Sequence, residues 1–292
     1  IGEYLKQVYK GRLSAYYPAF PEGNMARVHF IIGRSEGETP KPAQSELEAE
    51  VGKITRTWDD DLRAALGSAT AGHFEGAFPA AYQYAFSGAH AVEDIARLDA
   101  MGEAENISIS FSRDAGMAED RVSLKVYSAG QALPLSNRVP LLENMGFAAL
   151  NERTYQITPA ERPIIYLYDM TLQANSGAFS LEALGDKLTE CFLAIWQNRA
   201  ENDGYNALIL NGGIAWRDIA LLRTISRYLR QTRIPFSQDY MWSTLNRYSA
   251  IAAELVALFH ARFDPEKADP AVEDTLFERF LTALDDVVSL DD

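Results

Sequence analysis

The hydrophobic period of this chain changes twice, and that change constrains the fold more than any single motif. Apolar residues recur at helical spacing at Leu47, Val51, Ile54, Trp58, Leu62 and Leu66. The period then drops to two. Asn106–Arg113 (NISISFSR) and Arg121–Tyr127 (RVSLKVY) alternate strictly, as strands with one buried face do. The acidic stretch Asp114–Asp120 between them reads as the loop of a hairpin. After Asn202 no strand signal returns.

The remaining elements fall around this switch. Gly2–Tyr9 reads as the end of a helix and Arg12–Tyr17 as a short aromatic segment. Pro18–Gly23 is turn chemistry and Met25–Gly33 a buried strand. Ser45, with Glu48 three residues on, forms a capping box that opens one long helix. The run Asp59–Asp61 lies mostly on that helix's solvated side. Residues 72–102 are helical and connecting, with starts at Phe78-Pro79 and at Ser87–His90; the second carries Val92, Ile95 and Leu98. Leu133–Asn137 opens a helix over Val139–Met145 that Gly146 closes. Strands follow at Phe147–Ile157 and Pro163–Leu172. Ser180 then caps a helix with Leu181, Leu184, Leu188, Phe192 and Ile195 on one face. From 121 to 198 the order is β-α-β-β-α. With the strand at 106–113 alongside, this predicts an α+β sandwich, an antiparallel sheet on one side and helices on the other. Helices are expected at Asn206–Gly212, Trp216–Gln231, Ser237–Tyr248, Ser249–Phe263 and Pro270–Leu290, punctuated by Pro235 and Pro265.

Composition removes several function classes. Of 292 residues, 47% are hydrophobic and 23% charged, which is globular rather than disordered. Twenty-seven basic against 41 acidic residues leave a net charge of −14, which repels phosphate backbones and anionic lipid. Nucleic-acid and membrane partners are therefore not expected, and no apolar run is long enough to span a bilayer. The single cysteine, Cys191, permits no internal disulfide and no Cys-based zinc site, and it fits a reducing compartment such as the cytoplasm. Between Leu188 and Phe192 it reads as a small buried hydrophobe. The chain starts at Ile1 and ends at Asp292 without a tail, which suggests a piece of something longer.

The sequence carries no G-x-G-x-x-G, no P-loop and no G-x-S-x-G. His29, His73, His90 and His260 have no metal-ligand spacing. No catalytic, cofactor-binding or metal-ligating residue is assigned. Asn211-Gly212-Gly213 reads as a helix end, and Tyr16, Tyr17 and Phe20 as turn packing against the strand rather than a binding lip. The notable pattern is Arg223, Arg227 and Arg230, at i, i+4 and i+7 on one face of one helix. In so acidic a chain such a stripe needs partners. These are either carboxylates on neighbouring helices or another domain or subunit, since a guanidinium fork suits bidentate contacts. The three arginines are the interface and coupling candidates.

Several blocks resemble the large-subunit NAD-specific glutamate dehydrogenases of bacteria. Tyr17–Ile32 is similar to that family's FPEG-x-x-ARVHF segment, and Thr57–Leu62 to its R-T-W-x-D-x-L helix. Pro134–Ser136 with Leu141–Gly146 resembles PLS…P-x-LENMG. Asp203–Asn206 with Trp216-Arg217 resembles D-G-F/Y-N…W-R, and Tyr228–Gln231 with Pro235–Gln238 resembles YLRQ…PFSQ. The resemblance implies a non-catalytic middle segment of a longer chain. Its fold would be α+β, with ACT-like antiparallel sheet and helix modules followed by an all-helical region. The expected domains are a truncated ACT-like module at 1–70, a helical connector at 71–104, an ACT-like module at 105–200 and a helical domain at 201–292. The N-terminal module lacks its first strand and most of its first helix. The full-length enzyme would oxidise L-glutamate with NAD to 2-oxoglutarate and ammonia, while this segment holds no cofactor. The resemblance further implies a regulatory and oligomerisation role, with the rest of the polypeptide, other subunits and an amino-acid effector as partners. The alternative is a purely structural arm that spaces catalytic domains.

Overall fold

The computed structural model describes residues 1–292 except 22–25, 36, 68–69, 71, 102–105, 267–268 and 290. It divides into two compact units. The first comprises 1–72 and 86–92, the second 73–85 and 93–292.

The first unit opens with α1 (Gly2–Val8) and a hairpin of β1 (Arg12–Ala19) and β2 (Arg27–Gly33). The strands are antiparallel, Arg12 opposite Gly33 and Ala19 opposite Arg27, with an irregularity between Leu13 and Ala15. Gly2 of α1 sits over Leu13, where a Cβ would come within 3.1 Å of that side chain. No residue of β1 or β2 is buried, because two strands and one short helix cannot enclose a core. This corrects the reading of β2 as a buried strand: His29 is exposed on it. Tyr16, Tyr17 and Phe20, read as turn packing, are 60%, 61% and 80% exposed. Met25, the expected start of β2, and Glu22-Gly23 of the expected turn lie outside the described residues.

The single long helix expected from Ser45 is two helices, α2 (Gln44–Thr55) and α3 (Trp58–Leu66). Ser45 does not cap α2; the N-cap is Ala43, with no side-chain bond. The capping box lies one helix later. Thr57 accepts from the Asp60 backbone N–H, and the Asp60 carboxylate accepts from the Thr57 N–H at 2.9 Å. Those bonds to Thr57 hold the Asp60 carboxyl below its ordinary value. The acidic run is thus the first turn of α3, where the helix dipole favours negative charge. Leu62 is buried on α3, and Trp58 Nε1 donates to the Phe86 carbonyl at 2.8 Å.

In the second unit lie α4 (Ala80–Ala85) and all but the first turns of α5 (Gly88–Ala100). A four-stranded antiparallel sheet follows, from β3 (Ile107–Ser112), β4 (Arg121–Ala129), β5 (Phe147–Ile157) and β6 (Ile165–Ala174), in the order β3-β4-β6-β5. Between β4 and β5 runs α6 (Leu135–Asn144), and after β6 runs α7 (Leu181–Trp196). The β-α-β-β-α order is as expected. The helix α6 begins a turn earlier than Val139 and so carries Pro140 internally, which costs one backbone donor. Gly146 ends it at φ +92°, and Ser180 caps α7 through the Ala183 N–H. In a β-α-β-β-α-β unit the edge place beside the first strand goes to the last. Here β3, which precedes the unit, occupies it.

Alternation assigns the two faces of the sheet. Val122, Leu124, Val126, Met170 and Leu172 turn to α6 and α7 and share one core with Leu142, Leu188, Cys191 and Phe192. The other face is covered as well, which the sequence did not anticipate. Tyr82 of α4 packs edge-on to Tyr155 of β5, and Thr158 N–H donates to the Ala77 carbonyl.

The core continues into the helices. A 3₁₀ turn (Gly204–Ala207) leads to α8 (Leu208–Gly212), α9 (Trp216–Gln231), α10 (Gln238–Arg247), α11 (Ser249–Phe263) and α12 (Pro270–Leu284). Tyr205, Leu208, Ile209, Ile219 and Leu222 join the same core as the sheet. Gly213, in the left-handed region at φ +62°, closes α8 as the Asn-Gly-Gly reading requires. The helix α12 stops at Leu284, short of the expected Leu290, which lies outside the described residues.

Candidate functional site

The arginine stripe of α9 is divided by burial. Arg223 is 3% exposed. Its Nε donates to Asp203 Oδ2 at 2.7 Å, and its Nη2 donates to Asp203 Oδ1 and Asn206 Oδ1 at 2.8 Å each. The guanidinium also lies 5.6 Å from the Tyr205 ring centre. Asp203 does two jobs, because its Oδ1 also accepts the Tyr205 N–H and starts the 3₁₀ turn. One turn on, Arg227 is exposed and forks onto Glu201, with Nη1 to Oε1 at 2.6 Å and Nη2 to Oε2. That bond holds the Glu201 carboxyl below its ordinary value. Two arginines therefore tie α9 to the segment that carries the chain from α7 into the helices. Arg230 is exposed and forms no salt bridge among the described residues.

A second polar centre gave no sequence signal. Asp94 of α5 is 2% exposed and accepts four hydrogen bonds. Lys125 Nζ reaches both oxygens at 2.8 Å, Tyr127 Oη donates to Oδ1 at 2.7 Å, and Tyr82 Oη donates to Oδ2. Burial, then the Asp94 charge, pushes both tyrosine hydroxyls far above their ordinary value, so they stay donors. Asp169 faces Lys125 across the β4–β6 ladder, and burial raises its pKa. Alternation alone could have put Lys125, Tyr127 and Asp169 on one face. Nothing in the sequence ties them to residue 94, whose link to β4 is tertiary.

Cys191 is fully buried, and burial pushes its thiol up to about 12, so it is not a nucleophile at neutral pH. His260 Nε2 lies 2.8 Å from Asp218 Oδ1, a polar contact between α11 and α9. Among the described residues, two spaces stand out between the helices. An apolar one of 460 Å³ lies among α9, α10 and α11, lined by Leu222, Leu229, Phe236, Met241, Leu245 and Phe259. A polar cleft of 610 Å³ opens where α6 and the end of β6 meet α8 and α10.

Four family models match the chain in succession. They are the glutamate dehydrogenase ACT2 domain over 1–59, helical motif 2 over 62–101, the ACT3 domain over 106–184 and helical motif 3 over 200–265. Over 282 residues the chain is 34% identical to the NAD-specific glutamate dehydrogenase of Halomonas elongata, covering 93% of this chain and 17% of that one. It is 33% identical over 272 residues to that of Pseudomonas aeruginosa (89% and 17%) and 32% over 270 residues to that of Mycobacterium tuberculosis (84% and 16%). The chain belongs to the NAD-specific glutamate dehydrogenase family. It spans about 17% of the length of these glutamate dehydrogenases. The four-stranded sheet falls within the glutamate dehydrogenase ACT3 domain, and the Arg223 and Arg227 pairs fall within helical motif 3. Among the described residues no helix is long and apolar enough to cross a membrane.

Proposed function

We propose that the chain is a regulatory and oligomerisation segment of a longer glutamate dehydrogenase. That enzyme would convert L-glutamate, NAD and water to 2-oxoglutarate, ammonia and NADH, in the cytoplasm and with NAD bound elsewhere in the polypeptide. The module succession ACT2, helical motif 2, ACT3 and helical motif 3 carries this reading. We divide the segment accordingly at 1–70, 71–104, 105–200 and 201–292.

Surface chemistry supports self-association. On α12, Phe277, Leu281 and Leu284 recur at i, i+4 and i+7 and are 41–47% exposed, an apolar stripe that subunit contact would cover. The exposed end of the arginine stripe, Arg230, is the coupling candidate to other subunits. Arg223 and Arg227 act from within by fixing α9.

Sedimentation of this chain across a concentration series tests the assembly half. A monomer–oligomer equilibrium that Leu281→Glu weakens is expected. A chain that stays monomeric throughout returns the segment to a spacing arm. In the full-length enzyme, Arg230→Glu should change assembly or effector response at unchanged kcat. If both stay unchanged, the stripe has no coupling role.

A further inference from the structure

The polar cleft at the junction of the ACT3 sheet module and the helices is lined by neutral polar groups and a single carboxylate. Glu143 and Asn144, at the C-terminal end of α6, and Asn175, after β6, form one side; Asn211 of α8 with Trp242 and Ser243 of α10 form the other. Among the described residues Glu143 is the one charged group lining it, and no lysine, arginine or histidine does. Glu143 has no salt-bridge partner among the described residues. The carbonyl end of α6 adds negative potential at the same place.

Internal bonding leaves part of the lining's hydrogen-bonding capacity unused. Asn246 is spent: its Nδ2 donates to the Gly204 and Trp242 carbonyls at 2.9 Å, and its Oδ1 accepts from Asn211 Nδ2 at 2.8 Å. That contact uses an Asn211 donor and leaves its Oδ1 available. Asn144 Nδ2 donates to Asn202 at 3.0 Å, which likewise leaves its Oδ1. Trp242 supplies a fixed aromatic wall. It packs edge-on to Tyr205 at 5.7 Å, and a Cβ on Gly204 would come within 2.6 Å of its ring. A carboxylate with no cation in the lining, two carboxamides with bonding capacity to spare and an indole match a cation that also carries hydrogen-bonding groups, and the unopposed carboxylate disfavours an anion.

We propose that this cleft binds a small primary amine that also carries hydroxyl or amide groups. Bound there, the amine bridges α6 of the sheet module to α8 and α10. That such bridging alters turnover rests on the regulatory reading above; the binding itself does not.

The test is isothermal titration of this chain with ethanolamine and glycinamide, primary amines that carry a hydroxyl and an amide, with 2-oxoglutarate as the anionic comparison. Saturable one-to-one binding of at least one amine is expected, and none of 2-oxoglutarate. Glu143→Gln, at an exposed position, should weaken it at least about tenfold. Ser243→Trp, also exposed, should abolish it by filling the cleft while the melting temperature holds. No saturation by any amine up to about 10 mM overturns the site. Unchanged affinity in Ser243→Trp places binding elsewhere and overturns it too. Unchanged affinity in Glu143→Gln overturns the assignment of an amine. Binding in the cleft without any effect on turnover of the full-length enzyme keeps the site and removes the regulatory reading instead.

Discussion

Arg223 shows what one side chain does in the helical region. Its fork meets a carboxylate and a carboxamide at once, and it is almost wholly buried. Removing one member of a buried pair leaves the other charged and unpaired, so Arg223→Ala should cost about 3–5 kcal/mol, read from urea unfolding midpoints. Arg223→Lys should fall between, because an ammonium keeps the charge and loses the two-pronged geometry. A loss below about 1 kcal/mol for Arg223→Ala would place the pair among surface bridges of little weight. On the sheet's second face Asp169 works in the opposite sense. Burial raises its folded-state pKa, so the folded protein holds that proton more tightly than the unfolded chain does. Stability therefore falls as pH rises through the raised value, and at neutral pH the charged Asp169 is a cost. Asp169→Asn should raise the melting temperature at pH 7 and lose that gain as pH falls from the raised value to the ordinary carboxylate range near about 4. A destabilised variant at pH 7 would mean that the attraction of Lys125 outweighs the burial.

At the scale of elements, the break between α2 and α3 makes a sharp comparison. Thr57 caps α3 by a reciprocal bond with Asp60, whereas Ser45 caps nothing. Thr57→Ala should destabilise the first unit by about 1 kcal/mol and speed amide exchange in the first turn of α3. Ser45→Ala should stay within about 0.5 kcal/mol of the parent. The reverse ranking would restore the single long helix that the apolar spacing suggests. That spacing misled for a physical reason. Leu47 to Leu66 keeps one periodic face across Arg56-Thr57, and periodicity does not register a break that preserves the face. Ser-x-x-Glu and Thr-x-x-Asp are equally good boxes on paper. Elements whose ends carry their own chemistry were legible: Ser180, Gly146 and Gly213 each end or start a helix where the sequence puts it. The alternation of β4 also announced its two faces. Neither Asp94 nor the amide-lined cleft was legible, because each is assembled from residues distant in sequence, with no spacing to betray them.

For the whole molecule, the two units differ in what holds them. Among the described residues of the first unit, only Leu62 and Ala91 are buried apolar groups. In the second, a single core runs from Val122 through Phe192 to Val256. Local stability follows buried apolar contact, and a two-stranded sheet is marginal by itself. Amides of β1 and β2 should therefore exchange within seconds to minutes at pH 7, while those of β4 and β6 should approach protection set by global unfolding. Hydrogen exchange read by mass spectrometry decides it: equal protection of the two strand pairs would show that the first unit is far more stable than its burial implies. The contrast also places any switching. A coupling of about 1–3 kcal/mol can reorganise an element whose opening free energy is of that size, but not a core that opens only with the whole fold. An effect of ligand on exchange should therefore concentrate in the exposed ends of the helices that line its site. A ligand that instead slows β4 and β6 acts by stabilising the folded state as a whole, in proportion to its occupancy.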